Sequence, residues 1–193
     1  MKKIIVALAA VLLLTGCSGV GIIASSDPRV KVGQAEEMQR QGRYGRAKQL
    51  LDEANAIVQQ QGDERGMAEV YRGYGLFYRD GGEDDMILVR PGVQLPLTAA
   101  GSVKAQEYFT RSAALFEKLK IYDRLSNVHF LMAQVFYRMN DKPAACKALD
   151  ESLAANRQAV AAHPDQKIAL MPGIDSFDAG IARAKSEVGC PAA

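Results

Sequence analysis

The sequence predicts an all-α protein, an antiparallel helix-hairpin solenoid closed by a C-terminal capping helix. Three observations carry this. From Pro28 onward apolar residues recur at helical spacing, and no stretch sustains the period-2 alternation of a strand. Asp, Ser and Gly residues punctuate the chain where helices start and stop. Many of the joints are only two or three residues long, which forces consecutive helices to be antiparallel neighbours. The 193 residues are 48% hydrophobic and 24% charged. That excludes a disordered or collagen-like chain and leaves enough residues for one real core.

Each element has its own signals. The first helix runs from about Pro28 to Gln41, with Asp27 as N-cap, proline at the first helical position and Gly42 as the stop. The second runs from Tyr44 to Gln61 and stops at Gly62. Asp63 caps the third, which reaches about Arg79 before Gly81-Gly82. An irregular insertion covers 80–101. Ser102 is the expected cap of a fourth helix ending near Lys120. A fifth spans about Tyr122–Met139, and Asp141 caps a sixth that reaches Ala162. After a loop holding Pro164 and Pro172, Asp175 is the expected cap of a seventh helix closed by Gly189.

The first sixteen residues read as a processing signal rather than as part of the fold. Lys2 and Lys3 precede an apolar run of eleven residues, Ile4 to Leu14. A membrane-spanning helix needs about 20 residues, so this is the length of an export signal. Leu14-Thr15-Gly16-Cys17 follows directly. This segment resembles the bacterial lipoprotein lipobox. The resemblance implies cleavage before Cys17, acylation of its sulfur and new amino group, and a lipid anchor with palmitate-type chains. Ser18 is similar to the outer-membrane type, facing the periplasm in a cell with two membranes. Residues 17–27 are small and Gly/Ser-containing, and read as a lipidated tether to the domain at 28–193. Removing Lys2 and Lys3 lowers 24 basic residues to 22, matching the 22 acids. The mature chain is therefore near neutral, with no basic footprint for nucleic acid.

The helical body shows three degenerate repeats. The first has Lys31, Gln34, Ala35 and Met38, then Gly42, Tyr44, Ala47, Leu51 and Ala54. The second has Tyr71, Tyr74, Gly75 and Tyr78, then Ala105, Phe109 and Ser112. The third has His129, Met132, Ala133 and Phe136, then Ala145, Leu149 and Ser152. Small residues let two helices approach, and large residues one turn away fill the groove beside them. The pattern resembles tetratricopeptide repeats over about residues 28–160. It departs from them in lacking proline after the second helix of units one and two. The small positions 35, 75 and 133 also stand 40 and 58 apart, where the family repeats at about 34. Longer helices absorb the first excess, and the insertion accounts for the second. The resemblance implies a concave face of first-helix side chains that binds extended peptides or helices. The exposed candidates on it are Arg72, Arg79, Arg124, Asn127, Gln134 and Arg138, a set suited to acidic groups or backbone acceptors.

No catalytic signature is present. The chain lacks a phosphate loop, a Gly-x-Ser-x-Gly elbow and a His-Glu-x-x-His pair. His129 falls at a packing position and His163 at a helix end, which makes no zinc site. The acids after Arg79 do not match a calcium loop, and the apolar run Met86–Val89 is expected to dock on the helices with Leu95 and Leu97, an exposed patch for a partner being the other reading. No cofactor is expected.

Two thiols remain once Cys17 is acylated, and an exported protein meets an oxidising compartment. Cys146 lies in the second turn of the sixth helix. The seventh has an apolar stripe of Phe177, Ile181, Ala184 and Val188, so it folds back antiparallel. Its roughly 21 Å return Cys190 to the level of Cys146, which predicts a disulfide. The function expected is a membrane-anchored scaffold or assembly factor with a protein or peptide partner in the bacterial envelope. An accessory domain or enzyme acting on envelope polymers is the competing reading, and self-association into a homo-oligomer a third.

Overall fold

A computed structural model describes residues 24–82, 99–165 and 174–191. All of its regular structure there is helical: α1 (Pro28–Arg40), α2 (Tyr44–Gln61), α3 (Glu64–Arg79), α4 (Ala99–Lys118), α5 (Tyr122–Arg138), α6 (Lys142–Ala162) and α7 (Phe177–Val188). Helices pair as the hairpins α1/α2, α3/α4 and α5/α6. The hairpins then stack in chain order: α2 meets α3, α4 meets α5, and the first helices touch as α1 on α3 and α3 on α5. α7 packs on α6. The result is a solenoid-like row of antiparallel hairpins.

Helix starts follow local chemistry. The carboxylates of Asp27, Asp63 and Asp141 accept from the amides of Arg29, Gly66 and Ala144. Helix ends share one device. Six of the seven described helices close on a residue in the left-handed region, after which an amide reaches back five residues. Examples are Asp63 N to Val58 O at 3.1 Å beyond Gly62, and Cys190 N to Lys185 O at 2.9 Å beyond Gly189. Lys120 and Asn140 play the glycine's part after α4 and α5, with φ of 56° and 60°.

Two expected caps are displaced. Ser102 is buried inside α4, which already begins at Ala99; the preceding alanines favour helix and extend it. The insertion therefore ends before 99, not at 101, and residues 83–98, with the Met86–Val89, Leu95 and Leu97 cluster, lie outside the described residues. Ser176, not Asp175, caps α7, its hydroxyl accepting from Ala179 N at 3.1 Å. Asp and Ser cap about equally well. The choice goes with packing, since Ile174 lies against Gly180 across the first turn.

The core is continuous from α1 to α6. Met38, Ala47, Leu51, Ala54, Phe77, Ala105, Phe109 and Phe116 are fully buried in it. A second cluster joins Ala133, Ala145, Ala148 and Leu149 to Ile181 and Val188 of α7. Close approach has visible causes. A Cβ on Gly75 would strike the ring of Phe109. Ser112 Oγ donates to Ala68 O at 2.8 Å across α3/α4. Ser126 and Ser152 exchange hydroxyl-to-carbonyl bonds of 2.9 Å across α5/α6. At both places a hydroxyl takes the small position between two helices without leaving a polar group unpaired.

Candidate functional site

The first helices α1, α3 and α5 put their polar residues on one face, where two cross-helix ladders form. In the first, Glu36 of α1 accepts from Arg72 of α3 at 2.7 Å, Arg72 reaches Glu69 at 3.1 Å, and Glu69 meets Arg124 of α5 at 3.3 Å. In the second, Gln39 of α1 donates to Asp80 at 2.9 Å, and Arg79 clasps the same carboxylate at 2.6 and 2.9 Å. Arg79 also donates to Gln134 of α5 at 2.9 Å, and Arg138 donates to Arg79 O at 3.1 Å.

All six candidate residues are therefore on these helices, and five of them meet in the ladders. Two expectations need correcting. Arg72 and Arg79 are not exposed: their side chains retain only 14% and 15% of their accessible surface. Glu36 of α1 and Glu69 engage the Arg72 guanidinium, and adjacent Asp80 with Gln134 of α5 engage that of Arg79, so both hold the stack rather than face solvent. Gln134 is half-buried for the same reason. Arg124, Asn127 and Arg138 remain exposed, together with Tyr137 and Met139 at the end of α5. Sequence reasoning missed Glu36, Gln39, Glu69 and Asp80. Glu69 and Arg72 did carry a signal, the three-residue spacing of a helix pair. The link to Glu36 joins residues 36 apart and had none.

An aromatic layer backs this face. Tyr108 of α4 stacks on Tyr74 and Tyr78 of α3, with ring centroids 4.8 and 5.6 Å apart. Lys48, Lys104 and Arg111 lie over the rings. The Tyr74 hydroxyl donates to Asp52 at 2.5 Å. Burial first, and then that carboxylate, push its pKa well above the ordinary value. This tyrosine stays protonated and structural.

His129 is half-buried on α5, its Nδ1 3.2 Å from Glu151 Oε2 but off the line of a hydrogen bond. Burial lowers its pKa, against the pull of Glu151 and Glu117. His163 is exposed beyond α6. Among the described residues no three His, Cys, Asp or Glu side chains gather as a metal site, and no helix is long and apolar enough to cross a membrane.

Cys146 and Cys190 are brought together. Their Cα atoms are 5.7 Å apart and their sulfur atoms 1.98 Å, which is bonding distance. Cys17 and the whole 14–17 motif lie outside the described residues.

Residues 1–18 match the family model for the prokaryotic membrane lipoprotein lipid attachment site. No curated protein and no solved structure matches the chain. The similarity to known proteins thus resides in the attachment segment, joined here to an all-α row of helix hairpins.

Proposed function

We propose that this chain is an exported lipoprotein, held to the envelope by acylated Cys17, whose helical repeats of tetratricopeptide type form an interaction scaffold for an envelope protein or peptide. The observation that carries the reading is the match of residues 1–18 to the lipid attachment site ahead of a helix-hairpin stack. Two or more acyl chains hold a protein firmly where one does not. Residues 17–27 extend at most about 35–40 Å, which keeps the domain close to the bilayer. Ser18, similar to the outer-membrane type, supports an outer-membrane position where a second membrane exists. In this reading α7 caps the stack, the Cys146–Cys190 pair is oxidised, and the partner engages Arg124, Asn127 and Arg138.

Radiolabelled palmitate is expected to enter the protein, and Cys17→Ala to abolish labelling; soluble, unlabelled protein with Cys17 intact overturns the anchor. A tagged protein solubilised from membranes in detergent is expected to recover one stoichiometric envelope partner. The Arg124→Ala, Asn127→Ala, Arg138→Ala triple variant is expected to lose that partner while remaining lipidated. Retention of the partner by the triple variant overturns this face, and a partnerless, monodisperse homodimer overturns the scaffold reading.

A further inference from the structure

The α6/α7 hairpin is closed at both ends. The linker from 163 to 176 joins the C-terminal end of α6 to the start of α7. The Cys146–Cys190 bond joins the N-terminal end of α6 to the segment just beyond α7. Little else holds α7. Its buried side chains are Ile181 and Val188, with Phe177 and Ala184 partly buried beside them, against nine buried residues on α3. Its two ion pairs to α6, Arg157–Asp178 and Lys185–Asp150, each have a partner more than half exposed, and such pairs contribute little. At twelve residues α7 is about the length at which an isolated helix is only marginal in water.

We propose that the Cys146–Cys190 bond is a redox latch: oxidised, it holds α7 on α6, and reduced, it lets α7 leave as a unit while α1–α4 stay folded. The reductant is a dithiol. One of its thiolates attacks Cys190 Sγ, the sulfur–sulfur bond breaks, and the electron pair leaves on Cys146 Sγ. The second thiolate then attacks the mixed disulfide, releasing Cys190 and leaving the reductant as a disulfide. Two electrons enter the protein, and a proton goes to each cysteine sulfur. The arrangement favours this direction of attack. Cys190 lies past the end of α7, between exposed Gly189 and Pro191. Cys146 sits one turn after Lys142, whose ammonium lies near the turn at Gly189, and a neighbouring cation favours the leaving thiolate. Release parts Ile181 and Val188, with Phe177 and Ala184 beside them, from the second apolar cluster, to which α6 also contributes Leu153. The chain thereby gains a hydrophobic face in reducing conditions alone. This inference is independent of any partner on the first-helix face.

The test is hydrogen exchange on the mature lipidated protein in detergent micelles, with and without dithiothreitol. Reduction is expected to accelerate exchange in 177–188 by about thirtyfold or more, the lower end of what such a cross-link contributes. Faster exchange is also expected in 145–153, with α1–α4 unchanged and protection restored on reoxidation. A bond that resists dithiothreitol until the protein unfolds overturns the latch. So does unchanged exchange in α7 after reduction. Loss of protection throughout α1–α6 also overturns it, since the bond would then be a staple of the whole fold.

Discussion

Single side chains decide how closely the hairpins approach. Gly75 gives the Phe109 ring its seat, and both are fully enclosed, so the ring has nowhere to move. Gly75→Ala gains helix propensity but overpacks this contact, and is expected to destabilise by about 1–3 kcal/mol in urea unfolding. Gly33 is the control. It is exposed in α1 with open space around it, and Gly33→Ala is expected to stabilise by up to about 1 kcal/mol. His129 supplies a pH dependence. Its folded pKa lies below the ordinary 6.5 because burial opposes its charge; Glu117 and Glu151 pull it up and Lys147 pushes it down. The unfolded chain then takes up a proton that the folded one refuses. The contribution is fully present above about pH 6.5 and shrinks as pH falls toward the folded value. Urea midpoints are expected to drop between about pH 7.5 and 5.5, and less so in His129→Gln.

At the scale of elements, the repeated helix ending gives a sharp expectation. Lys120 occupies the left-handed position that glycine holds after α1, α2 and α7. A side chain there costs about 1–2 kcal/mol, partly offset by the greater unfolded-state freedom of glycine. Lys120→Gly is expected to raise stability by about 0.5–1 kcal/mol, read as a higher urea midpoint at unchanged slope. The stack of first helices depends on a different contact. Arg72 bridges α1 and α3 through Glu36 and Glu69, with all three side chains mostly withdrawn from solvent. Arg72→Ala is expected to cost about 1–3 kcal/mol, between an exposed pair and a buried one. The caps at Asp27, Asp63 and Asp141 were legible because each is a short-range bond. Those at Ser102 and Asp175 were not, because adjacent helix-formers and equivalent cap residues leave the boundary to packing.

Across the whole molecule, the two ends of the stack are polar. α1 turns Arg29 and Arg40 outward, and α7 turns Asp178, Arg183 and Glu187 outward. A solenoid with charged end faces does not propagate by end-to-end stacking. The lipid-free chain of residues 18–193 is expected to sediment as a monomer at micromolar concentration; a dimer would show that another surface pairs.

The sequence by itself determined the helices, most of their caps and stops, and the attachment segment at 1–18, since all of these are written over a few adjacent residues. The apolar stripe and length of the seventh helix also bring Cys190 to the level of Cys146. Only the tertiary structure decided the roles of Arg72 and Arg79. Their neighbours Glu36 and Gln134 are 36 and 55 residues away, and no periodicity along one helix reveals a polar partner supplied by another. The same holds for the Ser126–Ser152 pair, whose carbonyls are 26 residues apart and meet only when α5 lies against α6. Local chemistry sets which segments are helices. Which polar groups survive as free surface depends on the partners that folding brings to them.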